Sequence, residues 1–195
     1  MPSGFGGRNV GTQHHTLESQ GDFVSFPFPV PDKSDPRWTR EGGVHVRHGE
    51  GTARWLAGDT YTIKVTADDT NGALGFAKGV VPPGGGPVAH AHGNEDEAFY
   101  ILDGELEFLL GDRTFMVDSG DFVFIPRNTR HRFKNVGDRD AELLFLYTPG
   151  GHERFFIRSG DEPVEGQAPP LWGPERYAAI IDGMFDEGVT ILPEG

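Results

Sequence analysis

The run Gly84-Gly85-Gly86-Pro87-Val88-Ala89-His90-Ala91-His92-Gly93-Asn94-Glu95-Asp96-Glu97 joins a glycine-rich turn to a His-x-His pair and a carboxylate within the length of one hairpin. Alternate residues of a strand face the same side, so His90 and His92 are expected to project into one space. Glu97 follows a turn at Gly93-Asn94 and opens the next strand, which returns it across the hairpin toward the two imidazoles. Two neutral imidazoles and a carboxylate suit a borderline divalent cation, and rigid strands would hold their geometry. Taken alone, a His-x-His pair is common on surfaces and an acidic run is commonly solvated. Glu95 or Asp96 could also take the place of Glu97 as the anionic donor.

Short strands extend in both directions from this hairpin. Tyr61–Val65 and Ala73–Val81 precede it, separated by the turn-rich Asp68-Asp69-Thr70-Asn71-Gly72. Val88–His92, Ala98–Leu102, Glu105–Leu110, Thr114–Val117, Phe122–Ile125, His131–Asn135 and Ala141–Thr148 follow, with turns at Asp103-Gly104, Gly111-Asp112 and Ser119-Gly120-Asp121. Glu105 and Glu107 alternate with Leu106 and Phe108, the period of a strand with one wet face. Short strands at this spacing, without intervening helices, predict an all-β sandwich or barrel. The domain plan is an irregular N-terminal arm over 1–50, one barrel over 51–150 and a C-terminal extension over 151–195. Within that extension Glu175–Phe185 is predicted as a short helix behind Pro174. The arm, with Phe23, Phe26, Phe28 and Trp38, is expected to pack along the barrel or cross to a partner subunit, and the tail from Val189 to Pro193 to act as a lid or brace.

A second segment, Gly120-Asp121-Phe122-Val123-Phe124-Ile125-Pro126-Arg127-Asn128-Thr129-Arg130-His131-Arg132-Phe133-Lys134-Asn135, runs strand, proline turn, strand, with His131 opening the second strand. The two segments together resemble the paired motifs of the cupin family. The first fits G-x5-H-x-H-x4-E-x6-G through Gly84, His90, His92, Glu97 and Gly104. The second is similar to G-x5-P-x-G-x2-H-x3-N through Gly120, Pro126, His131 and Asn135, with Asn128 where the motif has glycine. Asparagine tolerates a left-handed turn, so this departure is compatible with the fold. The resemblance implies a jelly-roll-like antiparallel β-barrel holding one divalent transition metal (Fe, Mn, Ni, Co, Cu or Zn) on His90, His92, Glu97 and His131. The other histidines, His14, His15, His45, His48 and His152, are read as non-ligands, with His152 the nearest to an exception.

Strand parity then places Val88, Phe99 and Ile101 on the inner side with the ligands. Phe76, Leu106, Phe108, Phe133 and Tyr147 are expected to face them from neighbouring strands. Such a lining forms an apolar pocket for an aromatic or polyketide-like small molecule. No basic cluster suited to a phosphate points into it.

The stretch Glu97–Leu106, the corner Pro149–Phe156 and the tail Glu187–Leu192 further resemble bacterial single-domain quercetin 2,3-dioxygenase-like cupins. That resemblance covers roughly residues 55–195. It implies a metal-dependent dioxygenase that opens a flavonol with dioxygen and releases carbon monoxide, with Glu97 as both ligand and base. A fold does not fix a reaction. A metal-dependent isomerase, cyclase or lyase that makes no use of dioxygen, and a non-catalytic small-molecule-binding cupin, are the alternatives.

Composition sets the remaining bounds. A formal net charge of −13 disfavours nucleic acid and anionic membranes as partners. No apolar run approaches the ~20 residues of a membrane span. The opening Met-Pro-Ser-Gly-Phe-Gly-Gly lacks the pattern of a secretory signal. The chain has no cysteine, hence no disulfide framework and no thiolate ligand. The expectation is a cytoplasmic protein, working as a homodimer on a small-molecule substrate and, in the dioxygenase reading, on dioxygen.

Overall fold

A two-residue turn starts the sheet structure. Ala57 and Gly58 both take positive φ, 52° and 104°, the backbone that lets a tight hairpin match the twist of its strands. They join β1 (Thr52–Leu56) to β2 (Asp59–Val65). Then come β3 (Gly75–Val81), β4 (His90–His92), β5 (Asp96–Asp103), β6 (Glu105–Leu110), β7 (Arg113–Asp118), β8 (Phe122–Ile125), β9 (His131–Asn135) and β10 (Ala141–Thr148). The chain continues through α1 (Glu153–Ser159), α2 (Pro174–Asp186) and β11 (Val189–Ile191). This computed structural model describes residues 33–194.

The strands form two antiparallel sheets, a six-stranded one ordered β1-β2-β3-β10-β5-β8 and a five-stranded one ordered β11-β4-β9-β6-β7. Between them lies an aromatic core. Phe99 meets Phe108 and Phe145 at ring-centroid distances of 5.1 Å each, and Phe133 meets Phe145 at 5.7 Å, all tilted well away from parallel. Edge-to-face contacts of this kind add to the burial of large apolar surface.

The strand β3 shows why these rings fit. Its inward positions are Gly75, Ala77, Gly79 and Val81, all buried, while Phe76, Lys78 and Val80 face outward. A Cβ on Gly79 would lie 2.4 Å from the Phe145 ring. The small residues of β3 therefore make room for the large residue of β10 beside it. The expected inward placement of Phe76 is corrected by this pattern: its alternate neighbours, not Phe76 itself, face the core.

Two motif positions have a direct backbone reason. Asn128 has φ of 63°, the left-handed conformation that a glycine would otherwise supply. Gly104 has φ of 93°, and a Cβ there would come within 2.8 Å of Ala141. Asn135 donates through its amide to the carbonyls of Val81 and Arg139, at 2.8 Å each, and accepts from the Gly137 N–H at 2.9 Å. It fastens the β9–β10 turn to the end of β3.

The helix over Glu175–Phe185 is present as α2, one residue longer at each end. The helix α1 and the strand β11 were not anticipated as regular elements. The tail returns into the five-stranded sheet, where Val189 pairs with His92 and Ile191 with His90. Most of the expected arm lies outside the described residues, as do Phe23, Phe26, Phe28, His14 and His15. Its described part carries one 3-10 turn, Pro36–Trp38, capped by the Asp35 side chain. Among the described residues no helix is long and apolar enough to cross a membrane.

Glu153, the first residue of α1, is fully buried and accepts from the N–H groups of Ala67 at 2.6 Å and Gly151 at 2.8 Å. These bonds tie α1 to the β2–β3 connection. Glu153→Ala would leave the buried Ala67 N–H and the half-buried Gly151 N–H without this acceptor and open a small void. It is expected to lower the unfolding free energy by about 3 kcal/mol in a urea titration, with Glu153→Gln costing less.

Candidate metal centre

His90 stands directly opposite His131 in the pairing of β4 with β9. The Nδ1 of His90 lies 2.8 Å from the Val88 carbonyl, and the Nδ1 of His131 lies 2.8 Å from the Thr129 carbonyl. Each ring thus donates through Nδ1 and turns Nε2 inward, the arrangement that fixes the tautomer of a ligating histidine. Glu97, at the start of β5, brings one oxygen to both remaining contacts: Oε2 lies 2.9 Å from the Nε2 of His131 and 3.3 Å from the Nε2 of His92. One potential donor atom from each of His90, His92, Glu97 and His131 lies within 4.8 Å of the others. Glu97 is 3% exposed, His92 2% and His131 1%, while His90 is half-buried.

The charges suit a cation. Burial alone would push the Glu97 carboxyl up, but His92 and His131 beside it hold it well below the usual carboxylate range. Desolvation, with His131 and His92 alongside, lowers His90 to about 3 and keeps it neutral. An anionic carboxylate and imidazole nitrogens converging on one point are the donors a divalent transition metal takes. These four side chains could hold one such ion.

The structure separates the three acidic residues that the sequence left open. Asp96 turns away to Arg127, whose backbone N–H and Nε lie 2.9 and 3.0 Å from its Oδ1. Glu95 turns to the far side of His92, where it meets His152. The His152 ring stands edge-on to His92 at 4.2 Å. One potential ligand atom each from His92, Glu95 and His152 again falls within 4.8 Å, and the His92 Nδ1, Glu95 Oε2 and His152 Nδ1 are buried without a hydrogen-bond partner in the protein. Burial raises Glu95 above its usual range, and burial with His92 holds His152 well below its own. Acceptors on the outer side of a ligating imidazole orient the ring and raise its basicity. Glu95 and His152 lie near His92 but make no hydrogen bond to its Nδ1. His45 and His48 lie outside both groups.

The cluster faces a cavity of about 570 Å³. Of the lining expected from parity, Val88, Phe99, Phe133 and Tyr147 are in its wall. Ile101, Leu106 and Phe108 are fully buried in the core and do not reach it, and Phe76 faces outward. Parity places a side chain inside the barrel but not at which end, and the cavity occupies one end only. The rest of the wall comes from elements that the sequence reading did not bring to the site. Phe155 and Phe156 of α1 and Tyr177, Ile180, Ile181 and Met184 of α2 cover it, and Trp172 joins them. Asp59 and Tyr61 of β2 add a polar pair. The Tyr61 hydroxyl donates to the Asp59 Oδ2 at 3.1 Å, and burial pushes the Asp59 carboxyl up to about 7.

Comparison with known proteins agrees with this geometry. A family model described as a cupin domain matches residues 78–147, from β3 through β10. Over residues 78–147 the chain is similar to a cupin domain. Its relatives include the polyketide synthase CurC of Streptomyces cyaneus, 36% identical over 98 residues, covering 49% of this chain and 62% of that one. The quercetin 2,3-dioxygenase of Bacillus subtilis is 31% identical over 126 residues, covering 64% of this chain and 36% of the enzyme. The chain thus spans less than two thirds of either relative. Among solved structures, a predicted oxalate decarboxylase from Thermotoga maritima superposes with a TM-score of 0.51 at 26% identity, covering 54% of this chain and 99% of that one.

Because the cupin fold rests on its strands and aromatic core, His92→Ala is expected to leave a folded barrel that has lost most of its metal. Plasma emission spectroscopy on the purified variant, beside its melting curve, checks this; near-full metal would remove His92 from the ligand set. Asp59 gives a pH dependence of opposite sign to an ordinary surface carboxylate. The unfolded chain releases its proton near 3.8 while the folded chain keeps it to about 7, so stability falls as pH rises through that window and levels off above it. Denaturant titrations from pH 4 to 8 should show a loss of up to roughly 4 kcal/mol from this group, and Asp59→Asn should flatten that slope.

Proposed function

We propose that this chain is a metal-dependent oxygenase acting on an aromatic small molecule with an acidic hydroxyl, of the flavonol or polyketide-derived kind. The observation that carries the reading is the joining of three imidazoles and one carboxylate to one end of a cavity walled by Phe99, Phe133, Phe145 and Tyr147. The likeness to the Bacillus quercetin 2,3-dioxygenase supports it. Bound on this donor set, iron, manganese, nickel, cobalt, copper or zinc would supply the positive charge that acidifies a hydroxyl and, where redox-active, a route for electrons to dioxygen.

The chain's own residues supply the rest. Flat aromatic walls hold a ring system by stacking and keep water from it. Glu97 enters the reaction ionised, the state in which a carboxylate can take a proton. Both of its imidazole contacts fall on Oε2, and the Tyr147 hydroxyl stands beside the same carboxylate, held protonated by burial and by the Glu97 charge. Glu97 would accept the substrate hydroxyl proton, and Tyr147 would stay a donor throughout.

A second reading, ring closure or rearrangement of a polyketide without dioxygen, is favoured by the likeness to CurC. Oxygen uptake separates the two. Metal-loaded protein given a panel of flavonols should consume dioxygen in proportion to substrate lost. Loss of substrate without uptake would support the cyclase-like reading instead, and no turnover of any flavonol would sink the dioxygenase reading. Glu97→Gln keeps size and one oxygen donor but removes charge and basicity. It should retain part of its metal and lose activity by a factor of about 10²–10⁴, without recovery in excess metal. Full turnover at saturating metal would make Glu97 a ligand only.

A further inference from the structure

The cavity has a second polar feature away from the metal cluster. Asp59 opens β2, three strands from Glu97 in the six-stranded sheet, and is 6% exposed. A carboxyl so placed needs partners, and it has one. The Tyr61 hydroxyl serves Oδ2, while Oδ1 is buried with no hydrogen bond from the protein. Among the described residues no cation pairs with it, and burial with the Tyr61 contact sets its surroundings. Across the cavity the ionisable group that senses Asp59 is the phenol of Tyr177 on α2. The nearest basic side chain on that helix, Arg176, is held by Asp161 and the Ser159 carbonyl. Gly85 keeps Oδ1 uncrowded, since a Cβ there would come within 2.7 Å of it. An asparagine or serine would fill this corner with less desolvation cost, so an uncompensated carboxyl in an apolar wall points to a ligand group that completes it.

We propose that Asp59 and Tyr61 form a second polar subsite of the cavity, which receives a phenolic hydroxyl at the end of the aromatic substrate remote from the metal cluster. The subsite rests on the reading of the cavity as an aromatic-binding site, and it narrows that reading to molecules with at least two hydroxyls, one for each polar end. The incoming hydroxyl donates to the Asp59 carboxyl, while the Tyr61 hydroxyl holds that carboxyl in place. An aromatic lacking the remote hydroxyl would leave Asp59 buried and unpaired, so the subsite selects by penalty as well as by attraction.

The test uses two probes that differ by one hydroxyl, 4-fluorophenol and fluorobenzene, with binding to the metal-loaded protein followed by fluorine NMR. At pH 8.5, above the value of about 7 to which burial raises Asp59, the wild-type protein should hold the phenol about tenfold more tightly, the size of one hydrogen bond to a charged acceptor. Asp59→Leu should bring the ratio close to one, and Asp59→Asn, which keeps the shape should the leucine variant fail to fold, should cut it to about threefold. A ratio unchanged in the folded Asp59 variants, which would place the phenol at the metal end, or no preference in the wild-type protein, would each overturn the proposal. Failure to consume dioxygen with flavonols would count against the oxygenase reading alone, because the probe ratio does not depend on turnover.

Discussion

The candidate metal centre depends on the register of three residues. The strand β4 is only His90, Ala91 and His92, too short to hold its own place, and it carries two of the four candidate ligands. It is held from both edges. On one side His90 pairs with His131 of β9, and the His92 carbonyl accepts from the Asn128 N–H at 2.6 Å. On the other, β11 pairs with all three residues, and bonds from Gly93 N–H to the Gly188 carbonyl and from Leu192 N–H to the Ala89 carbonyl continue the contact past each end. A slip of one residue would turn both imidazoles to the opposite face. The tail beyond α2 therefore belongs to the architecture of the site, although it stands about a hundred residues from the histidines it holds in sequence.

This arrangement explains what could be read in the sequence and what could not. The cluster of candidate ligands was legible because their spacing is local: His90 and His92 are two apart on one strand, Glu97 is one turn later, and His131 follows a proline turn of its own. The barrel was legible from the period of its strands. The strand β11 was not, because three residues carry no period. Phe76 was misplaced because parity was judged from the large residue of β3, when Gly75, Ala77 and Gly79 were the ones making room. His152 and Glu95 reached His92 through a helix start and a turn, and neither has a spacing that refers to it. Glu95 had been open only as a substitute for Glu97, and it lies just before β5, where strand parity does not reach. The α2 wall of the cavity, contributed from some eighty residues beyond the His-x-His pair, had no local signal beyond the apolar side of the helix itself.

Glu153, Glu97 and Asp59 are, with Glu95, the buried acidic side chains among the described residues, and the surroundings of these three differ. Glu153 meets two backbone N–H groups, and these satisfy it within the fold. Its burial is structural, and nothing about it calls for a ligand. Glu97 meets imidazoles, groups that can exchange a proton for a metal, so two of the partners that balance its charge are themselves candidate ligands. Asp59 meets a single phenol and keeps one oxygen unpaired. Desolvation bears on all three, so burial alone does not tell a structural carboxylate from a functional one. The distinction lies in whether the compensating groups are fixed parts of the backbone, exchangeable side chains, or too few. In this cavity the last two conditions occur in one wall-to-wall space, with aromatic rings between them. In the proposed reading, that combination of two polar ends and an apolar middle would give the site a preferred shape of molecule rather than a general affinity for apolar ones.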